Sequence, residues 1–357
     1  MASWRKVWKR PTRGRASLIR SLRERVARQL AGRGALPAQV AACAEWLDPN
    51  VLTLGFARRF ATYKRPTLLL HNPERLTRLL THPERPVQLV VAGKAHPRDD
   101  QGKRMVQEWV DYIQRTQLFR RVIFVEDYDM ALAAELVQGV DLWLNTPRRP
   151  WEASGTSGMK VLVNGGLNIS ELDGWWAEAY TPEVGWALGD GREHDADAAW
   201  DAHEADQLYT LLEQEVVPAF YRRDSQGIPH AWVERMRESM ARLTPRFSAN
   251  RMVREYTENY YLPAASAFLL RCRQGAALAA QLASWSEELD RHWGALRFGT
   301  MNVHSTADQH RFEIPIYLDD LAPENVRVEL CAEALEADGQ PELHVMHREA
   351  PDRKSVG

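Results

Sequence analysis

Between residues 51 and 145 the chain alternates short apolar, β-branched runs, at 51–56, 87–92, 122–125 and 141–145, with longer segments of mixed polarity. Continuous apolar runs of this length are the pattern of strands buried on both faces of a parallel sheet, and the segments between them suit helical crossovers. Residues 103–117 are one such predicted helix. The pattern predicts a doubly wound, Rossmann-like α/β domain over residues 46–245, with ligands at the carboxyl ends of its strands.

Downstream, residues 195–280 read as mainly helical, punctuated by Gly227, Pro229, Pro245 and Pro263, and predict helices that brace the sheet. After His292, alternation over 311–317 and 326–330, with a turn signal at Asp338-Gly339, predicts a small β appendage. Upstream, Leu18, Leu22, Val26 and Leu30 recur every four residues between arginines, which predicts an exposed amphipathic helix. The expected organisation is a basic helical lead-in (1–45), the α/β domain (46–245), a helical brace (246–292) and a β-rich appendage (293–357).

Charge narrows the function. The 46 basic and 48 acidic side chains nearly cancel, so the molecule has no broad footprint for nucleic acid or an anionic membrane, and anion binding must be local. The basic bias of the first 34 residues, with Glu24 their one acid, is read as the polar face of the amphipathic helix. Cys43, Cys272 and Cys331 are widely spaced and odd in number, which argues against a disulfide framework and fits a reducing cytoplasm. No apolar run is long enough to span a bilayer, and the first residues lack the apolar core of a secretory signal. His344 and His347 lie three apart on an alternating segment without a third ligand, so no metal centre is expected. Trp175, Trp176 and Trp186 are expected in the core.

The chemistry concentrates in two places. Glu152-Ala153-Ser154-Gly155-Thr156-Ser157-Gly158-Met159-Lys160 follows the run at 141–145 and leads into Val161, Leu162 and Val163. Glycines before a helix let backbone N–H groups approach an anion, Ser154, Thr156 and Ser157 add hydroxyls, and the helix dipole favours negative charge there. Lys160 lies about one turn further on. The second place is Arg58, Arg59, Lys64 and Arg65, four cations after the run at 51–56, at the end where doubly wound sheets bind ligands.

With these motifs in view, the chain resembles the C-terminal half of the glycogen and maltodextrin phosphorylase family, especially its shorter bacterial branch. The resemblance rests on Gly55 through Arg65, Ala92-Gly93-Lys94-Ala95-His96-Pro97, Glu126-Asp127-Tyr128, Glu152 through Lys160, Asn164-Gly165 and Leu172-Asp173-Gly174. It implies the C-terminal half of a GT-B glycosyltransferase fold and phosphorolysis of terminal α-1,4-glucosyl units by inorganic phosphate, yielding glucose 1-phosphate. Lys160 would carry pyridoxal 5'-phosphate as a Schiff base, held in the interior. Arg58, Thr156 and Ser157 would hold the cofactor, and Tyr128 would lie against its ring. Arg59, Lys64 and the Gly155 backbone would hold the substrate phosphate, and Glu152, Ala153 and Ser154 the hydroxyls of the transferred glucose. The better-known members have asparagine where this chain has Gly158. The resemblance also implies a separate N-terminal half completing the glucan groove. Two other readings remain: a cofactor-binding fragment or split-enzyme subunit without turnover of its own, and a nucleotide-sugar glycosyltransferase on the same architecture, which would have no use for Lys160.

Overall fold

A computed structural model describes residues 4–307, 309–332 and 341–349; the turn expected at Asp338-Gly339 and the tail from residue 350 lie outside the described residues. Six parallel strands form the central sheet: β1 (Leu52–Ala57), β2 (Val87–Ala92), β3 (Val122–Val125), β4 (Leu142–Asn145), β5 (Leu167–Glu171) and β6 (Trp186–Leu188). Their order is β3-β2-β1-β4-β5-β6, so the chain changes direction across the sheet between β1 and β4, which pair through Leu54 with Leu142 and Gly55 with Trp143. Every residue of β1, β2, β4 and β5 is buried, as in a sheet covered on both faces.

Side-chain alternation divides the core in two. Leu89 and Val91 of β2 join Leu54, Phe56, Leu144 and Ile169 on one face, covered by Leu76, Trp109, Leu208 and Trp232 from helices. Val90 and Ala92 join Ile123, Val125 and Trp143 on the other, covered by Leu132, Leu136 and Val161. The helix Asp100–Thr116, expected at 103–117, starts where Asp99 accepts a hydrogen bond from the Gly102 amide at 2.8 Å. Helices Ala198–Leu211 and His230–Arg246 brace the sheet, the latter also packing on Thr156–Val163. Trp175, Trp176 and Trp186 are buried, as expected.

The lead-in differs from its expectation. Trp4–Gly32 is a single helix, but its apolar stripe is not exposed: Leu18, Ile19, Leu22 and Val26 are at most 3% accessible and pack on Leu132 and Leu136. Several of its arginines bond inward. Arg15 pairs with buried Asp141, which also accepts from the Thr53 amide, and Arg23 donates to the Trp46 and Leu47 carbonyls at 2.7 Å each. Periodicity identified the apolar face, but only the tertiary structure supplies what covers it.

The chain divides into two compact units, Met1–Met252 and Val253–Gly357. The second carries the helix Leu262–His292, interrupted by non-helical angles from Arg273 to Ala276, and three antiparallel strand pairs. These are Arg297–Phe298 with Ile316–Tyr317, Asn302–Ser305 with His310–Glu313, and Glu329–Ala332 with Glu342–Val345. No helix among the described residues is long and apolar enough to cross a membrane.

Candidate active site

The exits of β1 and β4 flank the point where strand order reverses, and the two motif clusters emerge there. Arg58 leaves β1 with its side chain buried; its guanidinium donates to Glu152 Oε2 at 3.0 Å. The Lys64 ammonium, on the short helix Thr62–Lys64, reaches the same oxygen. Glu152 Oε1 accepts from no protein donor among the described residues. Burial pulls the Arg58 guanidinium below its ordinary value, with Glu152 opposing, yet a guanidinium stays protonated in a protein. Arg58 Nε is buried and has no hydrogen-bond acceptor. Tyr128, past β3, is half-buried near Arg58: desolvation pushes its phenol up, and the charge of Arg58 opposes.

The loop from β4 is pinned by the exit of β5. Asp173 accepts from the Glu152 amide at 2.7 Å and from the Gly174 amide at 2.9 Å, and the Trp175 amide donates to the Ser154 carbonyl at 2.8 Å. Gly155 then takes left-handed angles (φ 96°) at the start of the helix Thr156–Val163, where a Cβ would lie 3.1 Å from the Trp175 ring. No side chain caps this helix start; the Gly158 amide donates to the Gly155 carbonyl at 3.2 Å, which leaves the Thr156 and Ser157 amides to face an anion.

One face of the helix, Gly158, Val161 and Leu162, is buried. Thr156 and Lys160, four residues apart, share the opposite, exposed face. Lys160 is thus not held in the interior as expected. Arg59 is exposed and donates to the Tyr63 hydroxyl at 3.2 Å, outside the Arg58–Glu152–Lys64 cluster. The Ser157 hydroxyl accepts from Trp143 Nε1 at 3.1 Å, which turns it towards the sheet. Ala153 and Ser154 are exposed on the loop. The structure therefore brings Arg58, Lys64, Glu152 and Tyr128 together and sets Thr156 and Lys160 on one helix face.

Gly158 has a steric reason. A Cβ there would come within 2.7 Å of Asn168 Oδ1 and 2.9 Å of the Trp175 ring, both buried. Gly158→Asn should therefore destabilise the chain by about 1–3 kcal/mol, read as a lower urea midpoint, because overpacking displaces its neighbours. An unchanged midpoint would show that the neighbours give way.

A cleft of about 880 Å³ in the first unit lies at the other end of this helix against Val163, Asn164 and Gly165 and is lined by none of these residues. His344 lies on a strand beside Glu342, at 3.5 Å; the one trio with metal-like spacing among the described residues is His292, Asp319 and Asp320. Sequence reasoning gave no role to Asp173, Thr146 or Glu171. Asp173 lay within a recognised motif, whereas the others carry no local signal.

A cation-rich switch point beside an uncapped, glycine-led helix start gives this α/β domain a site whose chemistry suits an anion. Residues 36–185 match the family model for carbohydrate phosphorylases. The chain is 42% identical over 321 residues to the glycogen phosphorylase of Mycobacterium tuberculosis, covering 88% of this chain and 37% of that protein. It is 41% identical over 284 residues to the maltodextrin phosphorylase of Thermococcus litoralis (80% and 33%), and 41% over 255 residues to the glycogen phosphorylase of Aquifex aeolicus (71% and 36%). The resemblance to the α-glucan phosphorylase family drawn from the motifs is borne out, and the chain spans about a third of the length of the curated relatives it matches.

Proposed function

We propose that this chain provides the cofactor and phosphate wall of a pyridoxal-phosphate-dependent α-1,4-glucan phosphorylase. The reaction transfers a terminal glucosyl unit to inorganic phosphate, giving glucose 1-phosphate and a shortened glucan. The observation that carries this reading is the convergence of Arg58, Lys64 and Glu152 beside the uncapped helix that bears Thr156 and Lys160.

The residues fit the cofactor. Arg58 offers a buried Nε without an acceptor, and the Thr156 hydroxyl and the first helical amides add donors for a phosphate. Lys160 presents an amine on the same helix face as Thr156, and Tyr128 offers a half-buried ring near Arg58. Ser157, turned to Trp143, would support the helix start through the sheet. When bound, pyridoxal phosphate supplies a phosphate able to exchange a proton with the substrate phosphate.

The chain's own groups do the rest. Arg59, Lys64 and the Gly155 amide would hold the substrate phosphate, offsetting repulsion between two phosphates and the charge that develops as the glycosidic bond breaks. Glu152 can keep Oε2 on Arg58 and Lys64 while Oε1 accepts a glucose hydroxyl, and Ala153 and Ser154 line the same loop. A further phosphorylase segment, in the same polypeptide or as a separate N-terminal half, would supply the opposite wall. A cytoplasmic setting suits free Cys43, Cys272 and Cys331.

In the assembled enzyme, Arg59→Ala and Lys64→Ala should each raise the phosphate concentration for half-maximal rate by about tenfold or more, the loss of one charge-assisted contact. Bound-cofactor absorbance should stay near that of the parent. Unchanged phosphate dependence in both variants would refute these roles.

A further inference from the structure

Beside the Lys64 turn lies a buried charge cluster outside the phosphate and sugar contacts. Arg65 follows Lys64 directly and takes left-handed angles, φ 44° and ψ 54°, that a non-glycine residue keeps only when its surroundings hold it. Its buried guanidinium donates to the Thr146 and Pro147 carbonyls at the exit of β4, at 3.0 and 2.8 Å. It also donates to Glu171 Oε2 at the end of β5 (3.1 Å), to Asp201 (3.0 Å) and to Glu204, the last two on the helix Ala198–Leu211. The Thr146 hydroxyl lies 3.2 Å from the carbonyl oxygens of both Lys64 and Arg65, so the backbone bearing Lys64 is tied to the same strand exit. Gly189 (φ 80°) closes over the cluster: a Cβ there would overlap the Glu171 carboxyl and come within 3.0 Å of Glu204 Oε1.

The charges do not balance one to one. Asp201 has a second cation, Arg148, at 2.7 Å, whereas Glu171 and Glu204 both turn to Arg65. We propose that Glu171 and Glu204 are positioning residues for Lys64, acting through Arg65. Neither belongs to the groups assigned above to sugar or phosphate. Their effect on phosphate binding rests on the phosphorylase reading above, but the placement of Lys64 does not.

Two carboxyls sharing one guanidinium in a buried site keep a proton between them. Burial first and the charge of Glu204 second push Glu171 up to about 9, against the pull of Arg65. The groups facing it are Arg65 from the loop after β1, Arg148 and Arg149 from the exit of β4, Asp201 and Glu204 from the helix, and Arg192 and His194 from the segment after β6. Below about pH 9 the shared proton removes the repulsion between the two carboxyls; above it, a second charge enters and loosens the hold on Arg65. Between the unperturbed value of 4.5 and about 9 the native chain holds a proton that the unfolded chain has lost, so this pair makes stability fall as pH rises through that window.

Competitive reductive methylation of the intact chain, with exposed Lys160 as internal reference, tests the placement. Lys64, only 12% exposed, should react several-fold more slowly than Lys160 near neutral pH, and their ratio should rise about threefold or more between about pH 8 and about pH 10. Glu171→Gln keeps a hydrogen bond and cannot ionise, so Lys64 should stay protected with a flat pH profile. Glu171→Ala should raise Lys64 labelling about threefold or more at about pH 8 without loss of helical circular dichroism. Glu204→Gln, a milder change should the alanine variant not fold, should likewise flatten the rise, because ionising Glu171 then brings no second carboxylate charge onto Arg65. A Lys64 ratio with the same pH profile in the parent, Glu171→Gln and Glu204→Gln would overturn the proposal. Labelling requires no turnover, so that result would leave the phosphorylase reading untouched.

Discussion

Purified on its own, this chain should release no glucose 1-phosphate above background from maltodextrin and inorganic phosphate. Turnover should appear when the remaining segment of a phosphorylase is fused to it or supplied in trans. The argument is geometric. Phosphorolysis needs the terminal sugar and phosphate in near-attack geometry, and a misplacement of about 1 Å can cost about 10²-fold in rate. Many of the groups assigned to the reaction stand open: Arg59, Ala153, Ser154, Thr156 and Lys160 are exposed, Lys64, Tyr128, Gly155 and Ser157 are half-buried, and Arg58 and Glu152 are buried. Cations in contact with water attract a developing negative charge several-fold less than they would in a closed site. The relatives carry nearly two-thirds of their length beyond the matched part, enough to build an opposing wall. Chromatographic detection of glucose 1-phosphate decides the matter. Lys160-dependent turnover by the chain alone would mean that these residues close the site themselves.

The second large effect is expected at Glu152. Its carboxylate is the one ion-pair partner of buried Arg58 among the described residues and also pairs with Lys64, and its backbone amide is fixed by Asp173. Glu152→Ala leaves a buried cation uncompensated, and breaking such a pair costs about 3–5 kcal/mol. Glu152→Gln, which preserves shape but removes charge, should cost less. Because the freed cations would then face an anion-accepting helix start, inorganic phosphate should restore much of the loss, about 2.7 kcal/mol at a hundredfold excess over its dissociation constant. Urea unfolding with and without phosphate reads both effects. A Glu152→Ala chain as stable as the parent and indifferent to phosphate would show that the cluster is neither a buried pair nor an anion site.

The parts of the fold legible in the sequence were those with a local signature. The runs at 87–92 and 122–125 coincide with β2 and β3 because strands buried on both faces are mostly apolar, Gln88 being the one polar residue in the two. β5 escaped that test: Leu167-Asn168-Ile169-Ser170-Glu171 carries three buried polar side chains, which interrupt the apolar run. Asn168 donates to the Gly158 carbonyl and Ser170 accepts from Asn145, partners that only the tertiary structure provides. The same limit applies at the site. The motifs placed Arg58, Glu152 and Lys160 at strand exits and on a helix, but the exposure of Lys160 and the turn of Ser157 towards Trp143 depend on which helix face meets the sheet. The Arg65 cluster draws on four separate segments, and no single stretch of sequence announces it.

The most direct test of the central claim is borohydride reduction of the chain after incubation with pyridoxal phosphate, followed by peptide mapping. The exposed face shared by Thr156 and Lys160, together with a buried Arg58 Nε that has no acceptor, predicts one dominant reduced adduct on the peptide containing Lys160. That adduct should be lost in Lys160→Ala and weakened in Arg58→Ala. Labelling spread over Lys94, Lys103 and other exposed lysines, or an adduct undiminished in Lys160→Ala, would contradict the account.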